Sequence, residues 1–499
     1  FDIFDWMARV LPGAVITFGI DTLVKLIRAL SLGSTAAVAK TAEQAMAIGA
    51  FLVAGVVAGA LLFAILRVSA RPPRLVGVIV GAAVGVAIVL VGRSLDRATT
   101  TDQTAGGLWI LAASVVWGAA LGWMYERLLE RGDALATTEA ASGDSLERID
   151  RRQFLIRVGG ATAAITVVGA VVGSLVGGRR EVARAERWSA GAALPNAGAS
   201  VQPAPGTRPE FTPLDDHYRI DINTFPPALD EKGWRLKVGG LVERPLEMTL
   251  DEIRGYRPTH QFVTLACISN EVAGDLISTT RWTGVSLKRL LPDLGLKPNA
   301  THLRIRSADG FHEVVALETI QRDERVMLTY AWDGVPLAVK HGFPLRIYIP
   351  NIYGMKQPKW IESIEAIERW EEGYWVVRGW DREARMRATS VIDTVAVNAK
   401  ITDSSGRRLV PIGGIAHAGA RGISKVEVRV DDGEWREAQL RAPLSGTTWV
   451  VWRYDWPFED GRHTFAVRCV DGTGSPQISE PSPPHPSGAT GLHRKSATL

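Results

Sequence analysis

Two cysteines, Cys267 and Cys469, stand in a chain of 499 residues. A disulfide framework is therefore excluded, a single bridge is the most the chain can form, and each sulfur needs its own explanation. Cys267 ends the run FVTLAC, residues 262–267, where strand-type residues give way to the polar Ser269 and Asn270 ahead of Gly274. A thiolate at a strand end suits a soft or high-valent metal. A lone cysteine is also, and more commonly, a small buried apolar residue. With His312 and His341 downstream, nucleophilic Cys/His chemistry is a third reading. Zinc is not favoured, because neither a second cysteine nor a close histidine pair accompanies Cys267. Cys469 alternates inward with Phe465 and Val467 and reads as core.

Two kinds of segment must position these groups. From residue 218 to about 367, short strands (234–238, 302–306, 345–349) mix with helical stretches (250–254, 287–291), an α+β order. From about 390 to 479 the pattern is all-β. Residues 425–430 alternate, Asp431, Asp432 and Gly433 supply a hairpin turn, and 448–452 and 464–470 alternate again. About 90 such residues fit a two-sheet sandwich. Residues 180–208, rich in Ala, Gly, Pro and Arg, read as a linker, and 481–499 as a proline-rich tail.

The first 180 residues differ in kind. Apolar stretches at 46–66, 75–91, 106–125 and 160–178 approach the roughly 20 residues a spanning helix needs. Residues 10–30 are apolar but carry Asp21, Lys25 and Arg28, which suggests an interfacial amphipathic helix, or else a fifth span. Arg67, Arg71 and Arg74 bound one loop, and Arg127, Arg131, Arg148, Arg151 and Arg152 occupy another on the same side. The positive-inside rule makes that side cytoplasmic and delivers residue 180 onward to the far side of a cell membrane. Arg151, Arg152, Gln153, Phe154 and Leu155 before the fourth stretch resemble a twin-arginine export signal, here internal. The first histidine is His217, so paired-histidine haem ligation within the helices is excluded. Net charge of +4 without a lysine or arginine block gives no support to nucleic-acid binding.

Three further blocks decide among the readings of Cys267. LACISN (265–270) continues into STTRWTGVSL (278–287). HGFPLRIYIP (341–350) runs on through YGMKQPKW (353–360), and GGIAHAG (413–419) precedes Val426 and Trp435. Alone, Arg346 and Lys359 are strand-end charges and His341 a turn residue. Together and in this order, the blocks resemble the sulfite-oxidase family of molybdopterin enzymes over roughly 215–495. The resemblance implies an α+β molybdopterin domain (211–385) and an immunoglobulin-like dimerisation sandwich (386–482); with the N-terminal transmembrane helical bundle (1–180), the linker (181–210) and the tail (483–499), read from hydropathy and composition, the chain is multi-domain.

The resemblance also implies that Cys267 ligates molybdenum beside the dithiolene of one molybdopterin. Tyr218, Arg219, Asp309, His341, Arg346, Gln357, Pro358 and Lys359 are implied to hold the pterin and its phosphate. Arg346 offers a fork and Lys359 a point charge for that phosphate. The implied activity is oxygen-atom transfer to or from an oxyanion, sulfoxide or N-oxide, with electrons passed to an external cytochrome or a membrane partner. One departure stands out. Where the family sets an arginine shortly after the ligand cysteine, this chain has Glu271 and Val272, and Arg281 is the nearest replacement. Glu271 and Arg219 are therefore the expected catalytic neighbours of Cys267. The reading from a different class is a membrane assembly subunit that keeps the fold without catalysis.

Overall fold

The computed structural model describes residues 2–13, 35–95, 103–139 and 187–499, with scattered helical positions between 18 and 27. The expected fourth span at 160–178, the arginine pair at 151–152 and most of 10–30 lie outside the described residues.

Helix α1 is Asp2–Val10, α2 is Thr35–Val68, α3 is Pro73–Arg93 and α4 is Gln103–Glu139. Three stretches among the described residues, Val38–Val68, Pro73–Arg93 and Gly106–Arg127, are long and apolar enough to cross a membrane. One compact unit comprises residues 55–87 and 108–186. Within it α3 and α4 meet backbone to backbone through glycine. A Cβ on Gly77 would collide with the Gly118 carbonyl, one on Gly81 with that of Ser114, and one on Gly122 with that of Pro73. Apolar helices in lipid gain nothing from hiding from each other, so close van der Waals approach of small residues is what joins them.

The other unit comprises residues 1–54, 88–107 and 187–499. Its α+β part holds two sheets. In the first, β1 (Leu236–Gly240) lies between β2 (Leu246–Met248) and a parallel β10 (Ile361–Ile367), followed by β5 (His302–Ser307) and β6 (His312–Ala316). In the second, antiparallel β3 (Thr259–Ala266), β4 (Ile277–Ser286) and β7 (Met327–Trp332) run in order. Strands β8 (Val335–Pro336) and β9 (Arg346–Tyr348) both pair with β7.

Helices α5 (Leu250–Gly255), α6 (Leu287–Leu294) and α7 (Leu317–Arg322) contribute their apolar residues to the core that the sheets share. Helix α5 is started by a capping box. The Thr249 hydroxyl accepts from the Glu252 amide at 3.1 Å, and the Glu252 carboxylate accepts from the Thr249 amide at 2.7 Å. One apolar core joins both sheets through Leu236, Ile305, Ile364, Val285, Leu328 and Ile347.

The C-terminal part is all-β. One sheet runs β11 (Thr389–Val395), β13 (Arg408–His417), β17 (Val450–Pro457) and β16 (Gln439–Leu440), with β12 (Ile401–Thr402) also on β13. The other runs β15 (Arg436–Glu437), β14 (Ile423–Val430), β18 (Arg462–Asp471) and β19 (His493–Thr498). Ile392, Ile412 and Trp452 of the first sheet share a core with Val426, Val428, Phe465 and Cys469 of the second.

Two expectations need correction. The stretch 483–499 is not a loose tail, because its last residues form β19 and pair along β18 from Arg462↔Thr498 to Val467↔His493. Alternation of His493, Lys495 and Ala497 with smaller or polar neighbours is a strand pattern that the preceding prolines obscure. Residues 187–210, read as linker, are packed against the all-β part. Glu210 is buried and accepts from Arg441 Nε at 2.8 Å and from Asn196 Nδ2 at 2.6 Å. Arg441 also donates to the carbonyls of Asn196 and Val201. Removing one partner of a buried ion pair strands the other charge. Glu210→Ala should therefore lower stability by about 3 kcal/mol or more, read from urea unfolding followed by tryptophan fluorescence in detergent.

Candidate cofactor and active site

Cys267 is the first residue beyond β3, in a loop that returns to β4 ten residues later. That loop is closed by its own backbone. Cys267 N donates to Leu276 O at 2.9 Å, Leu276 N to Asn270 Oδ1 at 2.9 Å, and Asn270 N to Cys267 O at 3.1 Å. The sulfur lies 3.0 Å from Ser269 Oγ and is packed among Tyr218, Val263, Leu265, Leu276, Trp282 and Tyr348. Burial pushes its thiol pKa up, against the smaller opposing effect of the Ser269 hydrogen bond. A bare thiolate is disfavoured there, whereas a thiolate bound to a cation is not.

Around the same cluster the chain collects buried bases and cations. His341 ends a short helical turn, and Gly342 follows at φ +110°; a Cβ on it would stand 3.1 Å from Lys359 Cβ and 3.2 Å from Arg346 Cβ. Only glycine allows that turn and that proximity together. Arg346, buried at the start of β9, donates through Nη1 to His341 O at 3.0 Å and lies 4.5 Å from the Trp282 ring centre. Burial lowers it to about 10. Lys359 donates to Ile220 O at 3.0 Å and stands 3.4 Å from Asp221 Oδ2; burial brings it down to about 8, although Asp221 pulls the other way.

Asp221 is the acidic centre. Arg219 Nε reaches its Oδ2 at 2.6 Å, and Lys40 Nζ of α2 reaches its Oδ1 at 3.1 Å. Burial alone would raise this carboxyl, but Lys359, Lys40 and Arg219 hold it well below the usual range. Asp309, whose Oδ1 accepts from Phe311 N at 3.0 Å, is instead raised by burial to about 6. His217 is taken down to about 3, also by burial, and His341 falls well below the ordinary imidazole value. Both rings are neutral at pH 7, with centroids 5.4 Å apart. Tyr218 lies between the sulfur and the cations: burial raises it, Cys267 adds to the rise and Arg346 opposes it.

Of the sequence-predicted residues, Cys267, Tyr218 and Arg346 meet at one cluster, with His341 hydrogen-bonded to Arg346, and Arg219 and Lys359 joined through Asp221. Gln357 donates to the carbonyls of Ile349 and Ile352, and Pro358 O accepts from Ile347 N, so both brace the strand carrying Arg346. Glu271 lines a separate cleft with Asn270, Tyr353, Arg387 and His417. Arg281 does not join the site. It faces Phe262 across the β3–β4 ladder, four residues from the Cys267 end, and its guanidinium lies over the Trp188 ring.

Sequence reasoning missed His217 and Asp221, which flank Tyr218–Arg219 but match no motif by themselves. It also missed the buried Lys356–Glu313 pair, 2.6 Å apart.

Buried polar atoms without a hydrogen-bond partner gather here: His217 Nε2, Arg219 Nη2, His341 Nε2, Arg346 Nε and Gln357 Oε1. Buried polar groups are ordinarily satisfied. Arg219, Lys359 and Arg346 outnumber the one carboxylate of Asp221, Lys40 being shared between Asp221 and Glu43, and this leaves a surplus of positive charge. A polar, anionic ligand in this pocket answers both.

Residues 223–375 match the family described as oxidoreductase molybdopterin binding domain. This part of the chain is thus a molybdopterin oxidoreductase domain, and its cofactor is molybdenum on molybdopterin. The chain is 28% identical over 324 residues to a nitrate reductase [NAD(P)H] of Hordeum vulgare, covering 52% of this chain and 36% of that protein. It is 27% identical over 304 residues to the mitochondrial sulfite oxidase of Mus musculus, covering 52% and 55%. It therefore spans between about a third and somewhat over half the length of these relatives. In fold it resembles the sulfane dehydrogenase SoxCD of Paracoccus pantotrophus, with a TM-score of 0.50 and 21% identity, over 60% of this chain and 86% of that one.

The pocket's charge makes a pH prediction. Lys359 sits at about 8 against an ordinary 10.5, so the unfolded chain binds more protons between those values and folding gains stability as pH rises through them. In cofactor-free protein, the stability of the parent should rise relative to that of Lys359→Met between pH 8 and 10.5, whatever offset the loss of the Asp221 contact sets at pH 7. Urea unfolding of both proteins across that range measures it, and a constant difference would refute the lowered Lys359.

Proposed function

We propose that this chain is a membrane-anchored oxidoreductase that moves an oxygen atom, with two electrons, at a molybdenum centre ligated by Cys267. The observation that carries the reading is the convergence of a buried thiol on a cation-rich pocket with unpartnered polar atoms. Arg219, Arg346 and Lys359 would hold the cofactor's phosphate. Asp309, His341 and Gln357 would bond the pterin's polar edge, and Tyr218 would separate that edge from the sulfur. The neutral His217, whose Nδ1–H donates to Tyr218 O, offers Nε2 as an acceptor, and His341 offers its free Nε2, which suits a heterocycle better than a second anion. When bound, the cofactor supplies the redox and oxygen-atom chemistry. The chain's own residues orient it, keep the thiolate out of water and surround it with fixed charge.

The catalytic side is proposed to be extracytoplasmic. Lys40, near the start of α2, contacts Asp221, and Leu95, just past α3, accepts from Arg9, which also bonds Asp309 O. Arg67, Arg71 and Arg74 lie at the opposite ends of α2 and α3, against Arg93 and the buried Lys40 at the near end. The positive-inside rule puts the arginine-rich ends in the cytoplasm. The all-β part, immunoglobulin-like in its two antiparallel sheets, is proposed as a dimerisation surface, and the electron acceptor as an external cytochrome or a membrane redox partner.

Glu271, four residues beyond Cys267, lines the neighbouring cleft, in which Arg208 is bound to Asp393 at 2.6 Å and Arg387 is exposed to solvent. A carboxylate there opposes a dianion by about 1 kcal/mol at intermediate dielectric. The substrate is accordingly proposed to be a neutral or singly charged oxygen donor or acceptor, such as a sulfoxide or an N-oxide.

Wild-type protein should contain about one molybdenum per chain, as one Cys-ligated centre requires. Cys267→Ser should remain folded but lose turnover, because a hydroxyl is a far harder ligand; wild-type rates in that variant would remove the assignment. Steady-state turnover with artificial electron carriers should favour neutral sulfoxides over sulfite, and Glu271→Gln should narrow that preference. Efficient sulfite oxidation indifferent to Glu271→Gln would overturn the substrate class.

A further inference from the structure

Three charged side chains from the first 40 residues converge on one tetrapeptide of the catalytic domain, Asp221–Thr224. Asp5 of α1 accepts from Thr224 N at 3.1 Å and from Thr224 Oγ1 at 2.7 Å. Arg9, at the end of the same helix, donates to Asn223 Oδ1 at 3.1 Å, to Asp309 O at 2.6 Å and to Leu95 O at 2.8 Å. Lys40 of α2 donates to Asn223 O at 2.9 Å and Asp221 O at 3.2 Å, and pairs with Asp221 Oδ1 and with Glu43.

These are not the contacts of a surface anchor. Asp5 and Lys40 are 3% and 8% exposed, and Asn223 and Thr224 are buried with them. A lysine that only marked a membrane boundary would reach toward water and headgroups. The apolar stretch beginning at Val38 is 31 residues long, about ten more than a bilayer needs. Its first turns are thus free to stand above the hydrocarbon and enter the protein.

The tetrapeptide they grip is the rim of the pocket described above. Asp221 binds Arg219 and Lys359 directly, and Asp309 faces it with its carbonyl taken by Arg9 and Asn223. Both walls are therefore tied to α1 and α2 rather than to each other alone.

We propose that Arg9 and Lys40 are positioning residues of the cofactor site. Through Asp221, Asn223 and Asp309 they clasp its rim and set how slowly bound molybdopterin leaves. This rests on the molybdopterin reading of the pocket. The membrane segment is then part of the holoenzyme's binding site and not only its anchor. Breaking the clasp frees the 221–224 segment to move away from Lys359 and Arg219, which opens the phosphate end first.

The test uses the full-length chain purified with its cofactor in detergent micelles. Molybdenum per chain and pterin, the latter by fluorescence after oxidation, are followed during dialysis for wild type, Lys40→Gln, Lys40→Arg and Arg9→Gln. Partners that orient a metal site's primary ligands are worth about 10–100-fold in retention. Lys40→Gln and Arg9→Gln should thus release pterin about tenfold faster or more, with Lys40→Arg close to wild type. Release at the wild-type rate in both charge-removing variants overturns the clasp. So does Lys40→Arg leaking as fast as Lys40→Gln, since a general folding defect at position 40 would not respect charge. Wild-type protein that contains neither molybdenum nor pterin would count against the molybdopterin reading itself.

Discussion

A single buried carboxylate organises the catalytic half. Asp221 has almost no access to water, and Arg219, Lys359 and Lys40 all reach it. Removing charges from water is costly, and one anion shared by three cations, of which only Lys40 has a second carboxylate in Glu43, leaves the cost only partly offset. The residual positive charge is carried by side chains that are fixed rather than solvated, so the pocket is already arranged for an anion before one arrives. The same constraint explains why His217 and His341 are neutral. Amid surplus cations and without solvent, burial outweighs the one hydrogen bond, from His217 Nδ1 to Tyr218 O, that favours a protonated ring. Neutral rings and fixed cations are complementary: the rings add no charge of their own, and the cations supply the field of the pocket.

Cys267 is the counterpart of that arrangement. Its surroundings are apolar, its loop is locked by Asn270 and Leu276, and it meets the charged pocket through Tyr218 and Arg346. Glycine at position 342 is what lets Arg346 and Lys359 approach so closely, because no side chain would fit between their Cβ atoms at that φ. The site is thus a junction of a β3–β4 loop, the 341–346 turn and the 217–224 segment, each on a different part of the sheet framework.

Much of this was legible in the sequence. Cys267, His341, Arg346 and Lys359 stand in motifs whose order identifies the cofactor class, and strands such as 302–306 and 425–430 announce themselves by alternation. Illegible were the features that depend on distant partners. Asp221 looks like any surface acid until Lys359 and Lys40 are folded against it. Arg281 looked like a replacement for a missing cation because it is near in sequence. The pairing register of β3 with β4 nevertheless carries it along the ladder from Cys267. Glu210 and Arg441 are 231 positions apart, so composition around 187–210 could indicate only a flexible connector. His493–Thr498 was hidden by the prolines before it, which end one pattern without excluding the next.

The Glu210–Arg441 bond also has a meaning in time. Residues 196–210 are made early, yet the guanidinium that satisfies them comes 231 positions later, roughly 10–50 s at ordinary ribosomal speed. During that interval the segment's polar groups have no final partner, and the all-β part cannot complete its rim. Docking of residues 196–210 is therefore a late step that waits until the all-β part, with Arg441, has been made.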